Sequence, residues 1–407
     1  MKTQNQALRA YYLFRVIAPF VFAMWLAVAG LYFATQVTSD PFQLAMIGVV
    51  LESATLFFEI PTGVIADTYS RKWSIVVGYV IWGIGFLIQG IFQSFYWVLV
   101  SQLIWGIGFT FVSGAPEAWL VDELGEEQAL KLFVRGSQIG QVSSIVGIIT
   151  ATLIGTIDVA LPIIVGGIGT LILAVILAIV MPENGFKPIQ REASSRWGAF
   201  ETFFDGVREV RQQPVLKSVI WIGIIIGVSA GGFDALYPRH IVENFEIPLI
   251  EPVVWFGVMS AGVMLLTIPA LEIAKRHLEK RPDVPVAWIL SIFAIGTVVG
   301  NLIFVWTGYF YGMILAFWLS QTLRNATKPL FMAWVNRHTT SGVRATVISM
   351  YWQSIALGNV LGTPIIGLIG SLSSIKTALS LSAVALLPVV PIYRRHGADT
   401  VQESDKS

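Results

Sequence analysis

The sequence predicts an all-α membrane protein with 12 transmembrane helices in two pseudo-symmetric six-helix bundles. Hydrophobic residues make up 55% of the 407 residues and charged residues only 13%, which is far more apolar than an average soluble protein. The mean hydropathy is +0.72. Apolar runs of about 20 residues recur along the chain, and a helix of that length spans the ~30 Å hydrocarbon layer of a bilayer.

The composition excludes several kinds of site. The absence of cysteine removes disulfides, thiolate metal sites and cysteine nucleophiles. Four histidines without a His-Glu-x-x-His pattern, and no Walker phosphate loop, give no sign of a metal site or an ATPase. No nucleophile and base are paired as in an enzyme, and a net charge of +1 argues against a nucleic-acid partner. We expect no cofactor, with the proton gradient as the energy source.

The apolar runs place the spans in order. The first run extends from Tyr11 to about Val37, which is too long for a cleaved signal peptide. The other predicted spans are 43–66, 73–93, 95–121, 135–157, 160–181, 215–242, 251–274, 286–306, 309–335, 345–369 and 375–393.

Lysine and arginine concentrate in alternate loops, which predicts the orientation of the chain. The opposite loops hold almost only Arg239 and Lys376. By the positive-inside rule, both termini are expected in the cytoplasm and the protein in a cell inner (plasma) membrane, crossed many times. The bilayer itself is therefore one expected partner.

The longest polar stretch between spans, 182–214, divides the chain. It separates an N-terminal six-helix bundle at 1–181 from a C-terminal one at 215–393, which a tail at 394–407 follows. Within the stretch, the apolar residues of Phe200–Val210 are spaced by three and four, which predicts an amphipathic helix on the inner membrane surface.

A weak internal repeat supports this division. Short motifs recur at offsets near 210 residues, as a duplicated six-helix unit would produce. The matched pairs are Ile60-Pro61 with Ile268-Pro269, Ala118-Trp119 with Ala333-Trp334, and Gln141 to Gly155 with Gln353 to Gly367.

A short charged turn is expected between the second and third spans, in the segment Gly63-Val-Ile-Ala-Asp67-Thr-Tyr-Ser-Arg71-Lys72. This segment resembles the loop signature of the major facilitator superfamily, Gly-x-Leu-Ala-Asp-x-x-Gly-Arg-Lys. Gly63, Asp67, Arg71 and Lys72 match it, and Ser70 replaces the second glycine. With the span layout, the resemblance covers nearly the whole chain.

This resemblance implies a cavity lined mainly by helices 1, 4, 7 and 10, alternating access by rocking of two bundles, and a gating role for the loop. The alternative role for Arg71 and Lys72 is to fix topology beside lipid headgroups. The chain departs from drug/proton antiporters of the family, which carry an arginine in helix 4 where this chain has Gln102. It also lacks their Gly-Pro signature in helix 5.

Four carboxylates inside predicted spans are candidates for binding protons or substrate: Glu52, Glu59, Glu117 and Asp234. An ionised carboxylate in hydrocarbon costs ~2.5–3.5 kcal/mol, so each must face the cavity, find a partner or carry a proton. Glu59 could instead tie helix 2 to a neighbouring helix. Asp234, beside Gly231-Gly232 where the backbone is expected to bend, could instead pair with Arg239 or His240.

Helix 10 holds a polar stripe at positions i, i+3, i+4 and i+7: Gln321, Arg324, Asn325 and Lys328. Its two cations could bind an anionic substrate or pair with intramembrane carboxylates, and Lys328 could extend to the inner surface. Arg15 is interpreted as an anchor near the cytoplasmic face. Four aromatic residues could stack on a hydrophobic compound or could simply pack in the core: Trp25, Trp105, Phe109 and Trp318.

These features lead to three hypotheses. The first is a proton-coupled efflux transporter of the multidrug type, an antiporter for an amphipathic organic compound that acts as a monomer. The second is a transporter of an anionic metabolite or siderophore-like compound. The third is a receptor or scaffold that uses the same fold without transporting.

Overall fold

The computed structural model describes residues 2–188, 214–280, 285–339 and 341–395, and the regular secondary structure within them is helical. The predicted all-α class with 12 long helices is confirmed. Their bounds are α1 Lys2–Tyr32, α2 Pro41–Thr68, α3 Arg71–Ile91, α4 Phe95–Leu124, α5 Glu126–Gly155, α6 Leu161–Val180, α7 Pro214–Asn244, α8 Pro252–Lys280, α9 Val286–Trp306, α10 Phe310–His338, α11 Ser341–Leu372 and α12 Ile375–Arg395.

Hydropathy identifies all but one of these helices as membrane spans. Among the described residues, 11 helices are long and apolar enough to cross a bilayer. α10 has 29 residues but is not one of them, because Arg324 and Lys328 lie in its middle. Its length and its place in the helix order indicate the remaining span.

Two helices begin earlier than their apolar runs. α1 begins at Lys2 rather than Tyr11, and α5 begins at Glu126, well ahead of its predicted start. Apolar runs mark only the part of a helix that lies in hydrocarbon. The first turn of α5 is acidic, and the Lys131 Nζ to Glu127 Oε1 pair at 2.8 Å joins successive turns, so the helix can continue in water.

α4 is interrupted inside its predicted span 95–121, at Ser113 and Gly114. The helix stops at Val112 and resumes at Ala115 after a two-residue turn. Gly114 in this turn has φ 71°, in the left-handed region that glycine enters without a Cβ clash. Pro116 suits the first turn of the new helix because it lacks an N–H group. The break places Glu117 at a helix N-terminus, where a carboxylate is favoured.

The described helices form two compact units. Unit 1 holds α1, α3 to α6, the part of α2 from Val50 onward and the start of α8 up to Gly257. Unit 2 holds α7, α9 to α12, the rest of α8 from Val258 and the start of α2 up to Val49. The boundaries at 1–181 and 215–393 remain a prediction, and the expected amphipathic helix at 200–210 lies outside the described residues.

Positions that repeat in the sequence occupy comparable places in their helices. Pro61 lies inside α2 and Pro269 inside α8. Trp119 in the second piece of α4 and Trp334 near the end of α10 are both buried. These correspondences agree with a duplicated six-helix unit.

Small residues let α7 and α11 of unit 2 approach closely. A Cβ added at Gly227 would strike the backbone carbonyl oxygen of Ile355, and one added at Gly358 would strike that of Ile224. Lipid tails are as apolar as the helix surfaces, so membrane helices associate largely through such close packing.

Gly227→Ala is therefore expected to destabilise unit 2 by about 1–3 kcal/mol, because the new methyl group meets backbone that cannot rotate away. Thermal unfolding of the purified protein should show a lower midpoint than the wild type. Gly48→Ala is the matched control, since a Cβ there has no described atom within 4 Å. Equal midpoints for the two variants would contradict the close packing of α7 and α11.

Candidate functional site

Most of the loop motif is helical. α2 continues to Thr68 and α3 begins at Arg71, which leaves Tyr69 and Ser70 as the connection. The charged turn expected between the spans 43–66 and 73–93 is therefore shorter than predicted, because Asp67 and Thr68 still belong to α2 and Arg71 and Lys72 already belong to α3. Gly63 and Asp67 lie in the last turns of α2, and Arg71 and Lys72 lie in the first turn of α3. Helix packing can therefore fix the side chains of the motif.

Arg71 is the centre of a charge network in unit 1. Its Nη1 forms an ion pair with Asp122 Oδ2 of α4, and its Nη2 lies 3.5 Å from Asp67 Oδ1. The Arg71 side chain is only 16% exposed. Its Nε is buried and has no hydrogen-bond partner among the described atoms. Charge-assisted bonds of this kind join α2, α3 and α4 at one end.

Ser70, which replaces the glycine of the family signature, has a structural role. Its Oγ accepts a hydrogen bond from the Trp73 backbone N at 3.0 Å and so caps α3. The same hydroxyl donates to Glu183 Oε2 at 2.6 Å, while Glu183 Oε1 accepts from the Lys72 backbone N at 2.9 Å. The Lys72 ammonium lies over the Trp73 ring, 5.6 Å from its centroid. A glycine at position 70 could make neither side-chain bond.

Glu52 and Glu59 lie two turns apart in α2, but their surroundings differ. Glu52 has an interaction partner within the protein. Glu59 is half-buried, and in the described part of the chain its carboxylate has neither a hydrogen-bond nor an ion-pair partner. A carboxylate without a counter-charge can relieve its loss of hydration by taking up a proton.

Arg15 and Glu117 occupy different helices of unit 1. Arg15 Nε donates to the Gly136 carbonyl of α5 at 3.0 Å, and Tyr11 OH donates to the Leu132 carbonyl at 3.3 Å. These bonds tie α1 to α5 within the bundle. Glu117 is exposed in the second piece of α4, so its side chain is accessible to a proton or a ligand.

Gln102 belongs to a buried polar pair. Its Nε2 donates to Gln89 Oε1 at 3.0 Å, and the Trp25 indole N donates to the same oxygen at 3.3 Å. Both glutamines are buried among α1, α3 and α4. The proposed contact of Gln102 with substrate therefore stays a prediction.

Aromatic rings surround this glutamine pair. The Trp25 and Trp105 centroids are 4.4 Å apart, and the Trp82 and Trp105 rings stack at 5.9 Å. All three tryptophans are buried, so Trp25 and Trp105 pack in the core of unit 1. Phe109, by contrast, is 40% exposed at the edge of the cluster and could meet a ligand.

The Asp234–Arg324 ion pair lies in unit 2. Arg324 Nη1 donates to Asp234 Oδ1 at 2.8 Å, joining α10 to α7. The expected alternative pairing of Asp234 with Arg239 or His240 was wrong, because Arg239 lies 3.3 Å from Glu243. The Asp234 side chain remains 49% exposed, so a proton or a ligand can reach the ion pair.

The rest of the α10 stripe contains unused donors. Gln321 is buried, and neither its Nε2 nor Arg324 Nε has a hydrogen-bond partner among the described atoms. Asn325 is half-buried, and Lys328 is exposed with no ion-pair partner in the described ranges. The stripe therefore presents two cations to the single carboxylate of Asp234.

The glycine pair beside Asp234 lies at a close contact between helices. α7 continues through Gly231 and Gly232 without a break, and the expected bend there stays a prediction. A Cβ at Gly231 would strike the side chains of Asn359 and Thr363 in α11. Thr363 Oγ1 donates to Asn359 Oδ1 at 2.6 Å, which places a polar group at this close contact.

Two other features bear on ligand binding. The Trp318 indole N donates to the Met259 carbonyl at 3.1 Å, so its polar edge is already engaged. Within the described ranges, no group of three or more His, Cys, Asp or Glu side chains could hold a metal ion.

Sequence reasoning missed Gln89 and Glu183. Gln89 is the one amide side chain within α3, and a lone polar residue in an apolar helix is itself a signal of a buried hydrogen bond. Glu183 stands just after Pro182 at the edge of the polar segment. Nothing in its local pattern indicates that it reaches the loop motif more than 100 residues earlier.

Comparison with known proteins identifies the family of this chain. The model of the Major Facilitator Superfamily matches residues 12–287, more than half of the chain. A relative from Bacillus subtilis (strain 168), described as "Uncharacterized MFS-type transporter YxaM", is 20% identical over 375 residues and is matched over 87% of each chain.

Solved transporter structures share the fold. The structure of the nucleoside transporter NupG aligns over 97% of this chain and 99% of its own, with 13% identity and a TM-score of 0.75. A bacterial homologue of the human lysosomal transporter Spinster aligns over 97% of this chain and 96% of its own, with 14% identity and a TM-score of 0.72. The predicted fold is thereby confirmed, and the chain belongs to the Major Facilitator Superfamily as a multi-pass membrane transporter.

Proposed function

We propose that this transporter exports an amphipathic organic compound in exchange for protons, by alternating access, as a monomer in an inner membrane with cytoplasmic termini. The observation that carries proton coupling is the half-buried Glu59 carboxylate, which has no partner in the described part of the chain. The outward direction rests on the 12-helix layout and loop motif, on the intramembrane carboxylates and on the region rich in aromatic residues and glycine, although Gln102 departs from the helix 4 pattern of drug/proton antiporters. The proton gradient is the energy source, with no cofactor.

The contrast among carboxylates supports Glu59 as the proton carrier. Asp122 lies against Arg71 and Asp234 against Arg324, so each has a cation as its counter-charge. Glu59 has none among the described residues, and an uncompensated charge in hydrocarbon costs ~2.5–3.5 kcal/mol. Glu117 also forms no ion pair among the described residues, but its side chain is exposed, whereas Glu59 is half-buried. A proton is the remaining counter-charge, and its release when Glu59 meets water would carry one proton per cycle.

The charge network around the loop motif supports a gate. Arg71 holds one carboxylate from α2 and one from α4, so a movement of either helix must lengthen or break an ion pair. Such a pair has two discrete states, made and broken, which is what an alternating gate requires. We assign this role to Asp67, Arg71 and Asp122, with Gly63 and Lys72 as flanking motif positions.

A second substrate class, an anionic metabolite or siderophore-like compound, is favoured by one observation in unit 2. Arg324 and Lys328 together face one carboxylate, and Arg324 Nε and Gln321 Nε2 are donors without acceptors among the described atoms. A substrate carboxylate would supply both the missing negative charge and the missing acceptors.

Glu59→Gln is expected to abolish substrate-driven proton movement, because glutamine keeps the shape of the side chain but takes up no proton. The measurement uses proteoliposomes with an imposed pH gradient and a pH-sensitive dye inside, to which lipophilic cations and organic anions are added in turn. Glu127→Gln is the control, since that carboxylate is 89% exposed and pairs with Lys131 in water. Unchanged proton movement in Glu59→Gln would remove Glu59 from the mechanism.

Lys328→Gln is expected to weaken the binding of an organic anion by at least about tenfold, because hydrogen bonds to charged groups contribute ~1.5–3 kcal/mol. Asp234→Asn should leave the affinity unchanged or raise it, since it removes a negative charge and releases Arg324 for the ligand. Affinities from calorimetric titration of the anions that move protons would decide, with Lys131→Gln as the exposed control. The reverse order of effects would exclude the anionic class.

A further inference from the structure

The loop motif is covered by a segment that its sequence signature does not include. This segment, Pro182–Phe186, is called the clasp here; it follows α6 and lies against α3 and α4. The Trp119 indole N donates to the Pro182 carbonyl at 2.7 Å. The backbone N groups of Asn184 and Gly185 donate to Glu123 Oε1 at 2.6 and 2.7 Å. The clasp is therefore bonded to α4 at three backbone positions.

The clasp also touches the charge network itself. A Cβ at Gly185 would strike the backbone carbonyl of Asp122, so the clasp lies directly on the residue that pairs with Arg71. The Arg71 guanidinium lies over the Phe186 ring, 5.9 Å from its centroid. Both members of the Arg71–Asp122 ion pair thus meet the clasp.

Glu183 holds the residues on either side of Arg71. One carboxylate oxygen accepts from the Ser70 hydroxyl before it, and the other accepts from the Lys72 backbone N after it. A carboxylate at a helix N-terminus is favoured because the first N–H groups have no partner within the helix. The two bonds of Glu183 therefore hold the first turn of α3 in place, including the backbone of Arg71 from which its side chain extends.

We propose that Glu183 is a positioning residue of the transport cycle, which holds Arg71 against Asp122 and couples the gate to the segment after α6. Ser70 makes this possible, because it supplies the hydroxyl that the glycine of the family signature lacks. Opening the gate then requires release of the clasp as well as of the ion pair. This coupling goes beyond the proposed substrate and proton carrier and does not depend on either.

The chain has no cysteine, so paired spin labels can be attached without removing native thiols. One label is attached at Lys131→Cys in unit 1 and the other at Lys275→Cys in unit 2, both exposed positions. Pulsed electron paramagnetic resonance in lipid nanodiscs then gives the distribution of distances between the two labels. The variants compared in this background are Arg71→Ala, Glu183→Ala, Glu183→Gln and the double variant Arg71→Ala/Glu183→Ala. Glu126→Ala, which removes an exposed carboxylate from the start of α5, is the matched control. Amide hydrogen exchange on the same samples reports the Lys72 N–H and the integrity of the fold.

Glu183→Ala should shift the distance distribution in the same direction as Arg71→Ala, and the double variant should shift it no further than Arg71→Ala. Glu183→Gln, which keeps one acceptor oxygen, should shift it less. Exchange at Lys72 should become at least about tenfold faster in Glu183→Ala, as loss of a charge-assisted hydrogen bond requires.

Four results would overturn the proposal. Unchanged exchange at Lys72 would show that the contact is not made, and faster exchange with an unchanged distribution would reduce Glu183 to a helix cap. Additive shifts in the double variant would show that Glu183 does not act through Arg71. If Arg71→Ala alone gave no shift, both the gate and this positioning role would fall, whereas proton coupling through Glu59 would stand.

Discussion

An ionised side chain that enters hydrocarbon without a partner costs ~2.5–3.5 kcal/mol, and this constraint governs where the charges of the protein lie. Arg71 is met by Asp122 and Asp67 in unit 1, and Arg324 is met by Asp234 in unit 2. Against this background, an intramembrane group that forms no ion pair in the described chain stands out. Glu59 in α2 and Lys328 in α10 are two such groups, and their proposed roles are to bind a proton at Glu59 and a substrate anion at Lys328.

The same constraint explains how polar groups are arranged in the helix core. Gln89 and Gln102 bond to each other and to Trp25 rather than standing alone, since a buried amide without partners loses its hydrogen bonds to water. Where no polar group is present, helices gain stability by close approach, as at Gly227 and Gly358. The units are thus held by close packing and by hydrogen bonds between buried polar groups, while some buried atoms, such as Gln89 Nε2, have no partner among the described atoms.

The sequence predicted the number and order of the helices, because 11 of them are apolar enough and long enough to cross a bilayer. The run at 309–335 was long enough to predict the remaining helix despite Arg324 and Lys328. The sequence predicted the loop motif by resemblance and the α10 stripe by periodicity. It did not predict the break in α4 at Gly114, although Ser113-Gly114 followed by Pro116 is a local turn signal inside the predicted span 95–121. Pairing of the α10 cations with intramembrane carboxylates was an alternative that the sequence left open, but only the packing of helices shows that Arg324 meets Asp234. The contact of Glu183 with Ser70 joins residues that are distant in the chain and has no local signal.

The measurement that most directly tests the central claim is infrared difference spectroscopy of the protein in lipid bilayers, titrated from alkaline to acidic pH. If the carboxylate without a counter-charge is the group that takes up a proton, the wild-type spectrum contains a titrating carboxyl band that is missing from Glu59→Gln. Identical titrating bands in the two proteins would show that the proton is bound elsewhere and would contradict the account.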